Sequence, residues 1–193
     1  MRPTRISAAF ILNLPGGRVM RGAGRFHLME LVEQINEHAY LYLAEIGEPE
    51  DNVLRLVIEE ARAGGEPMEV KIGDALLSGA RPIVSDDTCY AYEVLFGSYV
   101  AYSVRNESYT PEDRSEEYTG RLFRLYSKSH FLDYVRAATF ASDEYPGKLS
   151  HYEIVCENHI LDVVSAGEPH ITIVRHARQR HAPDRGHVDP HVH

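Results

Sequence analysis

HYEIVCENHILDVVSAGEPHITIVR, residues 151–175, is the longest segment whose side chains alternate with the two-residue period of a β-strand. It combines β-branched residues with histidines, a cysteine and carboxylates, and Gly167 and Pro169 interrupt it. We therefore predict strand, tight turn, strand, turn and strand. We expect these strands to form the centre of a sheet.

One face of the first two strands is predicted to belong to the core. A turn at Glu157-Asn158 places three apolar positions of the first strand opposite three positions of the second, because successive side chains point to opposite faces. The opposed pairs on this face are Tyr152 with Val163, Ile154 with Leu161, and Cys156 with His159.

The reverse face brings ionisable groups together. The same register places Glu153 opposite Asp162 and His151 opposite Val164. Directly opposed carboxylates repel, so solvent, a cation, a shared proton or a neighbouring arginine must offset the repulsion. An imidazole with two carboxylates is a set that divalent ions bind and that acid–base catalysis uses. His151, Glu153 and Asp162 are therefore the candidate metal site and, with His159, the candidate catalytic residues. The alternative is a solvated outer face.

Cys156 and His159 also allow a second interpretation. A thiol beside an imidazole is the nucleophile and base of cysteine hydrolases. At a hairpin end on the apolar side, however, a cysteine also behaves as a small buried hydrophobe. Neither Cys156 nor Cys89 belongs to a disulfide framework or a zinc-finger spacing, which favours a reducing cytoplasmic location.

The chain has 193 residues, of which 44% are hydrophobic, enough for one domain with a sizeable core. We place this domain at residues 25–175. Residues 1–24 are predicted to be a flexible basic extension; their apolar run resembles a signal peptide poorly, and Met20 is an alternative start. Residues 176–193 are predicted to be a disordered tail rich in histidine and arginine, whose five histidines could bind metal.

Charge is distributed unevenly along the chain. The whole sequence has a net charge of −9, whereas residues 26–175 contain twelve basic and 27 acidic residues, a net charge of −15. An acidic body of this kind repels phosphate backbones, so we expect no nucleic-acid partner. Its field attracts basic partners or cations, although a merely soluble surface also explains such a charge.

Hydrophobic residues at three- and four-residue steps predict helices at residues 25–46 and 50–62, which would form a helical hairpin. Ser129 is a predicted N-cap for a further helix at residues 129–138. Most strands follow later, including a short one at residues 68–72. The pattern indicates an α+β fold with a mainly antiparallel sheet of about five to six strands.

Residues 90–105 alternate on both sides of Gly97-Ser98, which predicts a β-hairpin with Tyr90 opposite Arg105. The hairpin, the polar loop after it and the next strand are rich in tyrosine. Aromatic side chains beside a polar loop are typical of recognition surfaces, although tyrosines also fill sheet cores. The candidate binding residues are Tyr90, Tyr92, Tyr99, Tyr102, Arg105 and Tyr126.

No strong catalytic, phosphate-binding or metal motif occurs in the sequence. The sequence therefore indicates no particular cofactor, no membrane segment and no oligomeric state. The leading hypothesis is therefore a soluble acidic module that binds a basic protein, as an inhibitor or immunity-type protein does. The alternative is a metal-dependent or acid–base hydrolase that uses the His/Glu/Asp cluster. A third possibility is ligand storage in an apolar pocket between sheet and helices.

Overall fold

The computed structural model describes residues 21–111 and 113–176. They form two α-helices, twelve β-strands and one short 3₁₀-helix, Glu107–Tyr109. The α-helices and strands are α1 Arg21–Glu37, β1 Tyr40–Glu50, β2 Val53–Ala63, β3 Met68–Ile72, β4 Ala75–Ala80, β5 Ile83–Val84, β6 Ala91–Phe96, β7 Tyr99–Arg105, β8 Glu117–Thr119, β9 Phe123–Lys128, α2 His130–Ala138, β10 Ser150–Val155, β11 Ile160–Ser165 and β12 His170–Arg175. The predicted α+β class with mainly antiparallel strands is confirmed.

The strands form two five-stranded sheets and one two-stranded ribbon, instead of the predicted single sheet of about five to six strands. The first sheet has the order β1-β2-β6-β12, with β5 paired to β2, and the second has the order β7-β11-β10-β9-β8. Strands β3 and β4 pair only with each other, and every ladder is antiparallel. Strands β10 and β11 lie inside the second sheet, as the alternating pattern predicted, but β12, predicted to lie in the centre with them, is an edge strand of the first sheet.

The main core lies between the two sheets. It contains Leu54, Leu56 and Ile58 from the first sheet and Ile154, Leu161 and Val163 from the second, with Leu31 and Ile35 of α1. On the outer face of the second sheet, Leu132 and Val135 of α2 pack with Val164. Each such side chain contributes about 1.5–3 kcal/mol when it is fully buried. Helix α2 therefore covers part of the outer face of the second sheet.

The register predicted for residues 151–164 is confirmed. Tyr152 pairs with Val163, Glu153 with Asp162, and Ile154 with Leu161. At the hairpin end, the backbone N–H of Cys156 donates to the carbonyl of His159 at 2.9 Å. One face of this hairpin enters the main core, and its ionisable residues lie on the reverse face.

The predicted helical hairpin is wrong. Helix α1 begins at Arg21 and ends at Glu37, and residues 40–63 form the β-hairpin of β1 and β2, whose turn contains Asn52 with φ 64°. Alternate residues of β2, from Leu54 to Glu60, point inward. Val57 and Ala61 on its other face are also buried, so the apolar residues of β2 mimic helical spacing.

The hairpin predicted for residues 90–105 is also wrong, although both of its strands form. Strand β6 belongs to the first sheet and β7 to the second, so Tyr90 does not face Arg105. Ser98 lies at the crossing, where its carbonyl accepts hydrogen bonds from Ala166 N and Ser165 Oγ, each at 3.1 Å.

Helix α2 confirms its prediction, including the N-cap. The Ser129 hydroxyl accepts from the backbone N–H of Leu132 at 3.0 Å. Residues 1–20 and 177–193 lie outside the described residues, so most of the predicted basic extension and of the predicted tail does too. Neither helix of the described residues is long and apolar enough to span a membrane.

One side chain ties α1 to the second sheet. Asn36 Oδ1 accepts from the backbone N–H groups of Arg121, Leu122 and Phe123 at 2.7–2.9 Å. Its Nδ2 donates to the carbonyl of Phe123 at 3.2 Å. Gly120, immediately before this segment, has φ 92°, and a Cβ there would overlap the carbonyl oxygen of Phe123. The entry to β9 therefore requires Gly120.

Candidate functional site

Two arginines neutralise the opposed carboxylates of the β10–β11 hairpin. Arg105 Nε and Nη2 donate to Asp162 at 2.9 and 3.0 Å, and Nη2 also donates to Glu153 at 2.9 Å. Arg124 Nη1 donates to the other oxygen of Glu153 at 2.7 Å. Glu153 and Asp162 are only 3% and 2% exposed, so the alternative of a solvated outer face is wrong. Among the four ways to offset the repulsion, the structure uses neighbouring arginines.

His151 extends this network to α2. Its Nε2 lies 3.2 Å from Asp162 Oδ1 and its Nδ1 lies 2.6 Å from the Ser129 hydroxyl. That hydroxyl also accepts from Leu132 N, so Ser129 joins the His151 ring to the start of α2. The ring also stacks on Tyr126, with centroids 4.4 Å apart. His151 is thus orientated from three directions.

The network keeps Asp162 ionised. Burial acts to raise the pKa of this carboxyl, but the hydrogen bond with His151 and the charge of Arg105 outweigh burial, and the pKa lies below its usual value. Near Glu153, burial and that carboxylate raise the pKa of Tyr126, so its phenol stays protonated. The network carries paired charges and a neutral phenol.

Ser129, His151 and Asp162 are connected by successive contacts that resemble a nucleophilic triad, but they cannot serve as one. Ser129 and His151 are 3% and 1% exposed, and neither lines the pocket that lies over Arg105 and Glu153. The order of contacts is also reversed, since in the serine-protease arrangement the hydroxyl contacts Nε2 and the carboxylate contacts Nδ1. A substrate could not reach the hydroxyl. The array therefore positions the start of α2 against the sheet.

A pocket of about 320 Å³ lies over Arg105, Arg124 and Glu153. We call it the acidic pocket. Its remaining lining residues are Glu107, Thr110, Pro111, Asp113, Glu116, Tyr118, Tyr126, Val155 and Ile160. The guanidinium of Arg124 lies 4.4 Å from the ring centroid of Tyr118. Beneath the pocket, Arg105 offsets the charge of Asp162 and Arg124 offsets the charge of Glu153. The rim adds three carboxylates, those of Glu107, Asp113 and Glu116, so the pocket is negatively charged.

Two of the rim carboxylates are held in place beside α2. Asp113 accepts from the backbone N–H and hydroxyl of Ser115, both at 2.7 Å, and lies 3.3 Å from His130 Nε2. The Ser115 hydrogen bonds lower the pKa of Asp113, which stays ionised. Glu116 accepts from the backbone N–H of His130 at 2.7 Å. The rim is therefore formed before any ligand arrives.

His159, the fourth candidate catalytic residue, is not part of this cluster. It precedes β11 on the core side of the hairpin, and its buried Nδ1 has no hydrogen-bond partner among the described residues. Burial, with a smaller contribution from Glu157, raises the pKa of the neighbouring Cys156 thiol to about 12. A thiol with this pKa stays protonated at neutral pH, so Cys156 and His159 do not form a nucleophile and base.

The six candidate binding residues occupy three separate places. Arg105 and Tyr126 line the acidic pocket. Tyr99 and Tyr102 contact each other, with centroids 5.5 Å apart, and Tyr102 donates to Glu48 at 3.3 Å. Tyr90 and Tyr92 lie in or beside the first sheet with stacked rings. The six residues do not form one continuous surface.

A second buried polar network surrounds Tyr92. Its hydroxyl lies 2.6 Å from His38 Nε2, and His38 Nδ1 lies 3.3 Å from Glu60. Arg62 donates twice to Glu60, at 2.6 and 3.0 Å. Burial lowers the pKa of His38, so the imidazole is neutral at pH 7 and Arg62 supplies the charge that compensates Glu60. The predicted binding residue Tyr92 is a fully buried part of this network.

A second pocket, of about 470 Å³, lies between α1 and the second sheet. We call it the apolar pocket. Its apolar lining residues are Leu28, Met29, Val32, Phe123, Leu125, Tyr152 and Pro169, and at its edge Arg25 and Glu168 form an ion pair at 3.4 Å. This is the shape and lining expected for the third possibility, a ligand held between sheet and helix.

Sequence reasoning missed Arg124, Ser129 and the rim carboxylates as members of the site. Arg124 lies directly opposite Glu153 on β9, but nothing in the local sequence indicated that β9 pairs with β10. Ser129 was predicted only as a cap. A basic residue on a strand next to buried acids was the one signal available.

Within residues 21–111 and 113–176, no group of three or more histidine, cysteine, aspartate or glutamate side chains is arranged to hold a metal ion. Guanidinium groups occupy the oxygens of Glu153 and Asp162 that a metal ion at the predicted site would need. The metal role of His151, Glu153 and Asp162 therefore has no support from the geometry.

Comparisons with family models, curated proteins and solved structures find no match for this chain.

Proposed function

We propose that this protein is an acidic binding module that holds a basic protein partner, and that the acidic pocket receives the partner's cationic side chains. The observation that carries the proposal is the rim of Glu107, Asp113 and Glu116 around a floor whose charges already cancel. An inhibitor or immunity-type protein would use such a site. Its partner would place lysine or arginine residues at the rim.

Three properties of the pocket support a cationic side chain as its occupant. The rim carboxylates lie at the edge of a concave site, where a facing low-dielectric wall strengthens their field. Tyr118, which is 39% exposed, adds aromatic surface, against which the alkyl stems of lysine and arginine pack favourably. The net charge of −15 over residues 26–175 attracts a basic partner from a distance.

The test is a titration with a fluorescent arginine-rich octapeptide, with a glutamate-rich octapeptide as the negative probe. We expect binding of the basic peptide at 50 mM NaCl and loss of most of that binding at 500 mM, because salt screens charge interactions beyond a few ångströms. The variant Glu107→Gln/Asp113→Asn/Glu116→Gln should weaken binding by about tenfold or more, since three charge contacts are removed.

A matched variant separates the pocket from the overall charge. Glu30→Gln/Glu50→Gln/Glu66→Gln removes the same number of charges from exposed positions that do not line the acidic pocket. It should retain most of the binding. Equal losses in both triple variants would show that only the net charge attracts the peptide, and binding that ignores salt would exclude the mechanism altogether.

The apolar pocket favours a second candidate function, the binding of a small apolar molecule. The probe is 8-anilinonaphthalene-1-sulfonate, whose fluorescence rises on transfer to an apolar site. Met29, at the pocket, is 54% exposed, so Met29→Lys should reduce the signal without loss of fold. Met68→Lys, at a position 49% exposed that does not line this pocket, is the control. Equal signals from the wild type and both variants would exclude this candidate.

A further inference from the structure

The apolar pocket follows one side of α1. The lining residues that this helix contributes are Arg25, Leu28, Met29, Val32, Glu33 and Asn36. Their steps of three and four residues place them on one face of the helix. From Arg25 to Glu33 the helix rises about 12 Å. The α1 wall of the pocket is therefore long, with Arg25 near one end and Glu33 towards the other.

The part of the pocket between these two charged residues is apolar. Phe123 and Tyr152 are 3% and 7% exposed and form its floor. Met29 and Leu125, at its edge, are 54% and 44% exposed. A ligand with an apolar chain would cover these exposed side chains and remove their surface from water. The middle of the pocket thus selects the apolar part of a ligand.

The two ends of the α1 wall differ in charge. The lining contains one arginine and two glutamates, a net charge of −1. At one end, Arg25 and Glu168 form an ion pair, so their charges cancel. At the other end, the exposed carboxylate of Glu33 makes no ion pair with the residues that the structure describes. Glu37, one turn further along the helix, adds a second carboxylate. Arg121 donates to backbone carbonyls at the end of α1 and does not line the pocket.

We propose that the apolar pocket binds a small amphiphilic cation, an alkyl chain that carries one amine, with the chain over Phe123 and the ammonium group beside Glu33. The net charge of −15 over residues 26–175 favours a cation over an anion during the approach. An anionic head group would meet the carboxylate of Glu33 at one end, and at the other end it would have to displace Glu168 from Arg25. This inference rests on the second candidate function, the binding of a small apolar molecule, and adds the charge of that molecule.

Three probes with the same alkyl chain test the charge of the ligand. Octylamine is a cation at pH 7, 1-octanol is neutral and octanoate is an anion. Each is used to displace a neutral fluorescent probe, N-phenyl-1-naphthylamine, at 50 mM NaCl. Octylamine should displace the probe at an at least about threefold lower concentration than 1-octanol, because it gains one exposed charge contact. Octanoate should require a higher concentration than 1-octanol, and 500 mM NaCl should reduce both differences.

Two variants of α1 locate the charge that selects the amine. Glu33→Gln should make octylamine no better than 1-octanol, without a change for 1-octanol itself. Glu30→Gln removes the same charge from an exposed position of the same helix that does not line the pocket, and it should retain the preference for octylamine.

The outcomes separate this inference from the candidate function beneath it. Equal displacement by octylamine and 1-octanol in the wild type would overturn the inference and leave the binding of an apolar molecule in place. An equal loss of preference in both variants would also overturn it, because only the net charge would then select the amine. If none of the three probes displaced N-phenyl-1-naphthylamine, the inference and the second candidate function would both be excluded.

Discussion

Replacing Arg105 by methionine removes the guanidinium that separates two buried carboxylates. Three hydrogen bonds are lost, two to Asp162 and one to Glu153, while the aliphatic part of the side chain is retained. Removing one partner of a buried ion pair costs about 3–5 kcal/mol, because the remaining charge is left uncompensated. The Arg105 side chain is itself 43% exposed, so water reaches the vacated position and favours the lower end, about 3 kcal/mol.

Arg55→Met is the matched control. Arg55 also bridges two carboxylates, Glu45 and Glu93, but their side chains are 62% and 24% exposed. Interactions of this exposed kind contribute far less to stability than a buried ion pair does. Urea unfolding at pH 7, followed by circular dichroism, measures both variants. If Arg105→Met cost no more than Arg55→Met, the burial of the carboxylates would not matter and the reasoning would fail.

The pH dependence supplies a second test of the same variant. The folded pKa of Asp162 lies below its unfolded value of about 3.9. The stability that this ionised group contributes is therefore present above about pH 4 and is lost as the pH falls through the folded pKa. Without Arg105 much of this contribution is absent. The difference between wild type and Arg105→Met should be largest near pH 7 and should shrink below pH 4.

Three further changes test other parts of the fold. Ser129→Ala removes the α2 cap and the partner of His151 Nδ1, and should cost about 2–3 kcal/mol in urea unfolding, more than an ordinary cap; a loss below 0.5 kcal/mol would contradict the shared role. Gly120→Ala should destabilise the fold more than the control Gly73→Ala. Gly73 also has a positive φ but has open space around it, so Gly73→Ala should cost only about 1–2 kcal/mol. Equal shifts in melting temperature for the two variants would exclude the overlap with the Phe123 carbonyl. The Cys156 thiol should stay unreactive towards a disulfide reagent at pH 8 in the native state and react on unfolding, and rapid native labelling would refute its burial and raised pKa.

The sequence predicted the β10–β11 hairpin because its information is local. The alternation of side chains and the turn at Glu157-Asn158 determine which residues face each other, including Glu153 with Asp162. The local sequence pattern could not predict which residues surround these two carboxylates. Arg105 and Arg124 come from strands that precede Glu153 by 48 and 29 residues, and strand pairing over such distances leaves no mark in a short window. The sequence thus predicted which acids meet but not what neutralises them.

Two fold predictions failed for related reasons. Strand β2 carries Glu60 on its inward face, where His38 contacts the carboxylate and Arg62 compensates its charge. An acid on the buried face obscured the two-residue alternation and favoured a helix. Gly97 and Ser98 suit a tight turn, but the strands on either side of them can either pair with each other or enter different sheets. Only the packing of the whole core determines which of these two arrangements forms. Both errors concern tertiary contacts that override local preference.

Asn36 has a consequence for the order in which the molecule assembles. Its amide satisfies backbone groups that lie 85–87 residues further along the chain. When synthesis has completed only α1, β1 and β2, those groups do not yet exist, and the end of α1 lacks these hydrogen-bond partners. We therefore expect that a nascent chain arrested before residue 123 leaves the end of α1 more open to proteases than the complete chain does.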